Sequence, residues 1–298
     1  MAAQAINIYT FMLPSIITYM KYMKTILVPT DFSVTAKNAA LYAIELANQL
    51  NAAKIILYNA YQSPVVTEPT MPVMQMLDID TLKKISDDGM KEFKSSLHLE
   101  NTNIEIEEIN EFAVLPNSIG EVCSRTGADL IIMGITGASK FEEVLIGSTA
   151  ISVVKNTKVP VIIIPPNAKC HKIERVMLAC DYKKVEETTP LQPIKKLLEA
   201  TNAKLFVLNI NQKQSNTGKT QNELLQSMLQ NFNPEFHNIN TEDFIGGIND
   251  FAETNNIDIT ITIPKKHGLF EGLFKESHTK QLAFHSHVPL MCIHEEDL

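Results

Sequence analysis

Cysteine is scarce in this sequence: Cys123, Cys170, Cys180 and Cys292 lie far apart and make no C-x-x-C pair. A reduced, cytoplasmic setting follows as the expectation. Positive charge is also short. Against 34 Asp and Glu there are 26 Lys and Arg, giving a net charge of −8 and a pI near 5.5. With no basic stripe to displace counterions, a nucleic-acid partner is not expected. Long apolar runs are missing too. Ala5 to Tyr19 is broken by Asn7, Thr10, Pro14 and Ser15 and is too short to span a bilayer as a helix. It lacks the positive flank and small-residue cleavage site of a secretory signal. No membrane partner is expected, and residues 1–23, with Met20 and Met23 just before the first convincing strand, read as an over-extended start or a loose arm. Nothing in the composition points to disorder or a fibre, and 298 residues suffice for two domains, each with a sizeable core.

The richest stretch is Ala128 to Pro166. An apolar run, Leu130 to Met133, ends on Gly134; Gly137 and Gly147 follow, with Ser148 and Thr149 directly behind. Gly-x2-Gly-x9-Gly-Ser between a buried strand and a helix suits an anion. Glycine lets backbone N–H groups approach a ligand closely, and a helix start favours negative charge. Ser148 and Thr149 either add hydroxyl donors or cap a helix over Ala150 to Lys155. Taken alone, the same pattern also fits a tight turn and a capped helix.

In chain order, Lys24 to Phe32 reads as a first strand delivering Asp31 at its carboxyl end, and Ser33 caps a helix over Ala36 to Gln49. A strand, Lys54 to Ala60, follows. The Pro-rich Ser63 to Pro72 is a loop, Ile79 to Leu97 a helix, Ile104 to Ile109 a strand and Asn117 to Arg125 a helix. The Leu130 strand, the glycine loop, the last helix and the strand Val159 to Ile164 complete five strands and four helices. Continuous apolar strands alternating with helices predict a parallel sheet covered on both sides. The programme then restarts. Asp31 matches Asp181, Lys54 matches Lys204, Asn59 matches Asn209 and Gln62 matches Gln212, all at an offset of 150. Asp129 matches Asp258 and Val159-Pro160 matches Val288-Pro289 at 129, so the second copy is 21 residues shorter in its middle. The chain reads as a tandem repeat, with an extension over 1–23, domains over 24–166 and 173–298, and a linker over 167–172.

The PTDFS turn, DLIIMGITG-x9-GST and VPVIIIP together resemble the universal stress protein family, closely over Lys24 to Pro165 and more weakly over Ile173 to Ile293. The resemblance implies two tandem five-stranded parallel-sheet sandwiches, Rossmann-like and similar to adenine-nucleotide alpha-hydrolases, related by a pseudo-two-fold axis. Val159 to Ile164 and Val288 to Ile293 would pair edge to edge within the chain, and two chains could still form a homodimer. It also implies ATP at the carboxyl ends of the strands, with Mg or Mn. Asp31 would meet the ribose or adenine side and Ala60 the adenine, while Gly134, Gly137, Gly147, Ser148 and Thr149 would hold the phosphates. Pro29, Thr30 and Met133 complete the expected nucleotide-binding set. A plainer reading of Asp31 and Ser33, that they only start the helix, stands beside this one.

In the second copy Gly134 becomes Ile263, Gly137 becomes Lys266, Gly147 becomes Glu276 and Thr149 becomes His278. Side chains and a carboxylate in the phosphate path predict no ATP there. Lys265, Lys266 and His267 read as a solvated basic loop, and the histidines near the C-terminus, His285 and His287 included, lack a clear third metal ligand. Thr217 to Thr220, TGKT, has Lys213 where a phosphate loop needs glycine and no strand expected to lead into it. The leading reading is an ATP-binding sensor or regulator of the stress response with nucleotide in the first domain alone. The alternatives are slow ATP hydrolysis or phosphoryl transfer using Lys140, Glu142 or Glu143, and a nucleotide-independent scaffold. Dedicated catalysis is not expected, since no transition-state machinery is evident.

Overall fold

The computed structural model describes residues 23–62, 78–99, 102–135, 148–180, 182, 184–211, 218–241, 243–264 and 288–294. The first half runs β1 (Thr25–Pro29), α1 (Val34–Leu50), β2 (Lys54–Tyr61), α2 (Ile79–Ser95), β3 (Glu105–Phe112), α3 (Leu115–Thr126), β4 (Leu130–Gly134), α4 (Ser148–Lys155) and β5 (Val161–Ile164). The second runs β6 (Arg175–Cys180), α5 (Val185–Thr188), α6 (Leu191–Thr201), β7 (Lys204–Asn211), α7 (Gly218–Leu229), β8 (Glu235–Asn240), α8 (Phe244–Thr254), β9 (Ile259–Thr262) and β10 (Leu290–Cys292).

All ten strands form one sheet in the order β3-β2-β1-β4-β5-β10-β9-β6-β7-β8. Each half is parallel, and the halves meet where β5 and β10 pair antiparallel, Leu290 opposite Ile163 and Cys292 opposite Val161. This is the edge-to-edge pairing that the sequence predicts. Strands buried on both faces carry no polar alternation. Along β5, Ile162 and Ile164 feed the core under α1, α2 and α6, while Val161 and Ile163 feed the one under α3, α4 and α8. Met23, assigned by sequence to the extension, is 1% exposed and belongs to the first of these cores.

The repeat is visible in small details. Asn59 Nδ2 donates to the Thr30 carbonyl at 2.7 Å, and Asn209 Nδ2 to the Cys180 carbonyl at 3.0 Å. Lys54 pairs with Glu107 at 2.7 Å, and Lys204 with Glu235 at 2.7 Å. The missing residues fall before, within and after the helix that follows the second strand of each half, 17 residues long in α2 and 12 in α7: Lys54 matches Lys204, Ile79 matches Gly218, and Glu107 matches Glu235. One difference escaped the repeat. The 17-residue α1 is replaced by a four-residue α5 and an 11-residue α6, because Pro190 stands where α1 has Ala40. Proline removes a helical N–H and clashes with the preceding turn, yet is tolerated at a helix start.

Two equivalent carboxylates fasten the amino ends of the strands. Asp129 Oδ2 accepts from the Lys24 N–H at 3.0 Å, and Asp258 Oδ2 from the Glu174 and Arg175 N–H groups, both at 2.8 Å. Burial pushes the Asp129 carboxyl above its ordinary 3.8, against the opposing pull of the Lys24 amide and of the Lys196 charge. A raised folded value favours the protonated form, so its contribution to stability is full below the unfolded value and is lost as pH rises through the folded one. Asp129→Asn keeps an acceptor for Lys24 and removes this titration. Its denaturation midpoint is expected to fall less than the parent's between pH 4 and 7; equal slopes in urea titrations would refute the assignment.

Candidate functional site

In the first half the strand order 3-2-1-4-5 reverses direction between β1 and β4, and their carboxyl ends open the crevice where ligands of such sheets bind. β1 pairs with β4 there through Ile26 opposite Leu130 and Leu27 opposite Ile131.

The turn after β1 is held from inside. Thr30 is buried; its N–H donates to the Tyr58 carbonyl at 2.8 Å, its carbonyl accepts from Asn59, and its Oγ1 accepts from the Phe32 N–H at 3.0 Å. Asn59 Oδ1 in turn accepts from Ser86 Oγ at 2.7 Å, tying α2 to the same point. Phe32 takes a left-handed backbone, φ 65°, and packs against Phe93 with ring centroids 5.8 Å apart and planes tilted by 54°. Its ring fills the space over Gly89, where a Cβ would lie 2.7 Å from Cε2. With Thr30 and Phe32 turned inward, Asp31 is left exposed at the rim. Asp31 Oδ1 accepts from the Ser33 N–H at 3.1 Å, and Ser33 Oγ caps α1 by accepting from Ala36 at 3.2 Å. A cap of this kind contributes about 1 kcal/mol. The plain reading of this turn as a helix start therefore holds geometrically, and it leaves the carboxylate facing outward.

The other predicted residues fall as follows. Pro29 ends β1, Ala60 sits half-buried near the end of β2, and Met133 is buried in β4. Gly137 and Gly147 lie outside the described residues, as do Lys140, Glu142 and Glu143. Ser148 and Thr149 form the first turn of α4 instead of preceding it. First-turn N–H groups have no helical acceptor in any case, so hydroxyl residues there cost little. Gly134 is a structural requirement: a Cβ on it would sit 2.6 Å from the Thr35 carbonyl oxygen. The glycine lets the first turn of α1 cross the end of β4, bringing the Asp31 rim beside the start of the glycine loop.

The second half lacks this approach. Ile263, at the position of Gly134, is 4% exposed, and the segment matching Thr35 is Val185, preceded by Lys184 in a left-handed conformation, φ 48°. Among the described residues Asn209 Oδ1, fully buried, has no partner where Asn59 has Ser86, and Tyr182 OH, at the place of Phe32, has none either. Asp181, Lys265, Lys266, His267, Glu276, His278, His285 and His287 lie outside the described residues. His294 is described, its Nε2 against the Val154 carbonyl. Gly218, Lys219 and Thr220 open α7, and here the expectation is corrected: β7 does lead toward them, ending at Asn211. What remains against a phosphate loop is Lys213 in place of the glycine. Among the described residues no three His, Cys, Asp or Glu side chains gather into a metal-binding group, and no helix is long and apolar enough to cross a membrane. All four cysteines are free.

The family model for the universal stress protein family matches residues 23–165. A universal stress protein of Methanocaldococcus jannaschii is 32% identical over 141 residues, covering 47% of this chain and 81% of that protein. A second one from the same organism is 27% identical over 154 residues, covering 47% and 94%. The crystal structure of a universal stress protein from Archaeoglobus fulgidus matches the fold with a TM-score of 0.65 at 19% identity, across 93% of this chain and 98% of that one.

Gly134→Ala is expected to cost about 1–3 kcal/mol, as overpacking against backbone does, and to lower the urea midpoint with no nucleotide present. An unchanged midpoint would mean that packing does not require the glycine.

Proposed function

This chain belongs to the universal stress protein family, and from that premise we propose that its first domain, residues 24–166, binds ATP with Mg²⁺ or Mn²⁺. The second domain, residues 173–298 beyond a linker over 167–172, does not, and the protein acts as a sensor or regulator in the cytoplasm. The observation that carries this reading is the meeting of an outward carboxylate, Asp31, with the start of the Gly-x2-Gly-x9-Gly-Ser loop at a topological switch point. A carboxylate there suits ribose hydroxyls, and the start of α4 suits phosphate. The divalent cation would be held largely by phosphate oxygens and water, as Mg²⁺ commonly is. In the second domain Ile263 fills the place of Gly134, and Glu276 stands where the loop has Gly147.

A regulatory role draws support from α1, which begins at this rim and grips the connection between the halves along its length. Asn38 Nδ2 donates to the Pro165 and Ala168 carbonyls, both at 3.1 Å. Tyr42 hydrogen-bonds Cys170, whose thiol burial pushes up to about 12. Gln49 exchanges two 2.9 Å hydrogen bonds with the Ile173 backbone. A ligand that moves the first turn of α1 therefore acts on the linker through one helix.

Calorimetric titration of ATP with Mg²⁺ or Mn²⁺ into nucleotide-stripped full-length protein is expected to give one site per chain. Gly137→Glu should abolish it, and Asp31→Ala should weaken it about tenfold, or about 1.4 kcal/mol. Two sites per chain would overturn the asymmetry, and no binding at millimolar ATP would overturn the nucleotide reading.

A further inference from the structure

A groove of about 340 Å³ lies along α8 beside the end of the outermost strand, β8. Ile239 and Phe251 supply its apolar lining, Asp243 and Asp250 its charge, and Gly246 and Gly247 a stretch of bare helix backbone. The same place in the first half holds a network of side chains. The sheet register sets Ile239 against Glu111, since Ile210 pairs with the one as Ala60 pairs with the other. Aligning the two helices by their caps, Val114 and Asp243, matches Gly247 with Ser118, Asp250 with Glu121 and Thr254 with Arg125. In the first half the Tyr58 hydroxyl lies 2.7 Å from Ser118 Oγ and donates to Glu111 at 3.3 Å, and Glu111 pairs with the Arg125 guanidinium. Leu208, Gly247, Ile239 and Thr254 replace these four. The groove is thus the space left by a lost phenol and a lost carboxylate–guanidinium pair.

Its charge is unbalanced by the same changes. Asp250 keeps the carboxylate of Glu121 but has lost the arginine one turn on, and Asp243 adds a carboxylate where the first half has Val114. Among the described residues no lysine, arginine or histidine lines the groove; Arg175 touches its far end, where it donates to the Asn255 carbonyl at 2.7 Å. Asp243 Oδ1 is engaged with the Gly246 N–H at 2.9 Å, which makes Asp250 the stronger anchor. Seven residues of helix separate the two carboxylates by about 10 Å. Between them lie an aromatic ring, an isoleucine and the two glycines. At Gly247 even a Cβ would come within 2.8 Å of Thr241 Cγ2 and 3.0 Å of Ile239 Cδ1, so a side chain there would narrow the channel.

We propose that this groove binds a linear alkyl diammonium, a ligand of the polyamine class, with one ammonium at Asp243, the other at Asp250 and the methylene chain along Ile239, Phe251 and the glycine backbone. Cation and ring attract one another as well. The groove lies in the second domain and is independent of nucleotide in the first.

Full-length protein titrated calorimetrically with 1,8-diaminooctane, spermidine and octylamine at low salt provides the test. One site per chain is expected, with each polyamine at least about tenfold tighter than the monoamine. Asp250→Asn should weaken the diamine about tenfold, and Thr254→Arg, which restores an internal guanidinium, should abolish binding with the thermal midpoint retained. Glu92→Gln, exposed on α2 of the first half, should leave binding unchanged. Equal affinity for mono- and diamine, a loss in Glu92→Gln matching that in Asp250→Asn, or no saturable binding would each overturn the proposal, the first two by showing diffuse attraction to an acidic protein. Asp250→Asn decides the matter even if Thr254→Arg fails to fold.

Discussion

The architecture depends on a pairing of three residues. Leu290, Met291 and Cys292 lie antiparallel to Val161, Ile162 and Ile163, and without that seam each half would end in a fully apolar strand with an open row of N–H and C=O groups. Such an edge templates aggregation. Joined, the two edges become the centre of a ten-stranded sheet, and alternate residues of both strands enter cores that continue from one half into the other. The outermost strands that remain, β3 and β8, are half-exposed and rich in charged or polar side chains, β3 carrying Glu105, Glu107, Glu108 and Glu111. Polar edges are the usual protection.

From that shared frame the halves part at one position. Gly134 lets the Thr35 carbonyl come within 2.6 Å of where a side chain would begin, which seats the start of α1 over β4. Ile263 forbids the same approach, and the helix that would make it is shortened to Val185–Thr188 and separated from its continuation by Thr189 and Pro190. The two substitutions agree with each other. Once the glycine is gone, an unbroken first helix has no place to sit, and once the helix is broken nothing requires the glycine.

Most of the fold was legible because strands buried on both faces leave uninterrupted apolar runs, and because a repeat makes each half a check on the other. Asp129 with Asp258 and Asn59 with Asn209 were visible as identities, and each pair has the same structural duty. The break at Pro190 is equally visible as a residue but lies in the part of the repeat where identities are few, so nothing in the sequence marks its match to Ala40. The site was legible as a motif more than as a geometry. Asp31 is exposed only because its neighbours Thr30 and Phe32 turn inward, one onto Tyr58 and Asn59 and the other onto Gly89 and Phe93. No pattern in PTDFS states which of its residues faces out. The groove along α8 could not be found by motif, since it consists of side chains shortened relative to their counterparts, on a strand and a helix whose offsets from the first half differ by one.

Tandem repetition frees one copy from a constraint while the other keeps it, and the relaxed positions here are not scattered. In the second half they fall at the carboxyl end of β9, where Ile263 closes a crevice, and along α8, where Gly247 and Thr254 open one. Tyr58, Glu111, Ser118 and Arg125 are joined in one network, and removing the guanidinium alone would leave Glu111 and Glu121 without their cation. A network left half satisfied is costly, which favours replacing its members together. That all four are replaced, with Asp250 retained and Asp243 added, leaves an electrostatic deficit which the described lining residues do not fill. A surface that has lost its internal cation and keeps two carboxylates beside an apolar trough is organised for a cation from outside.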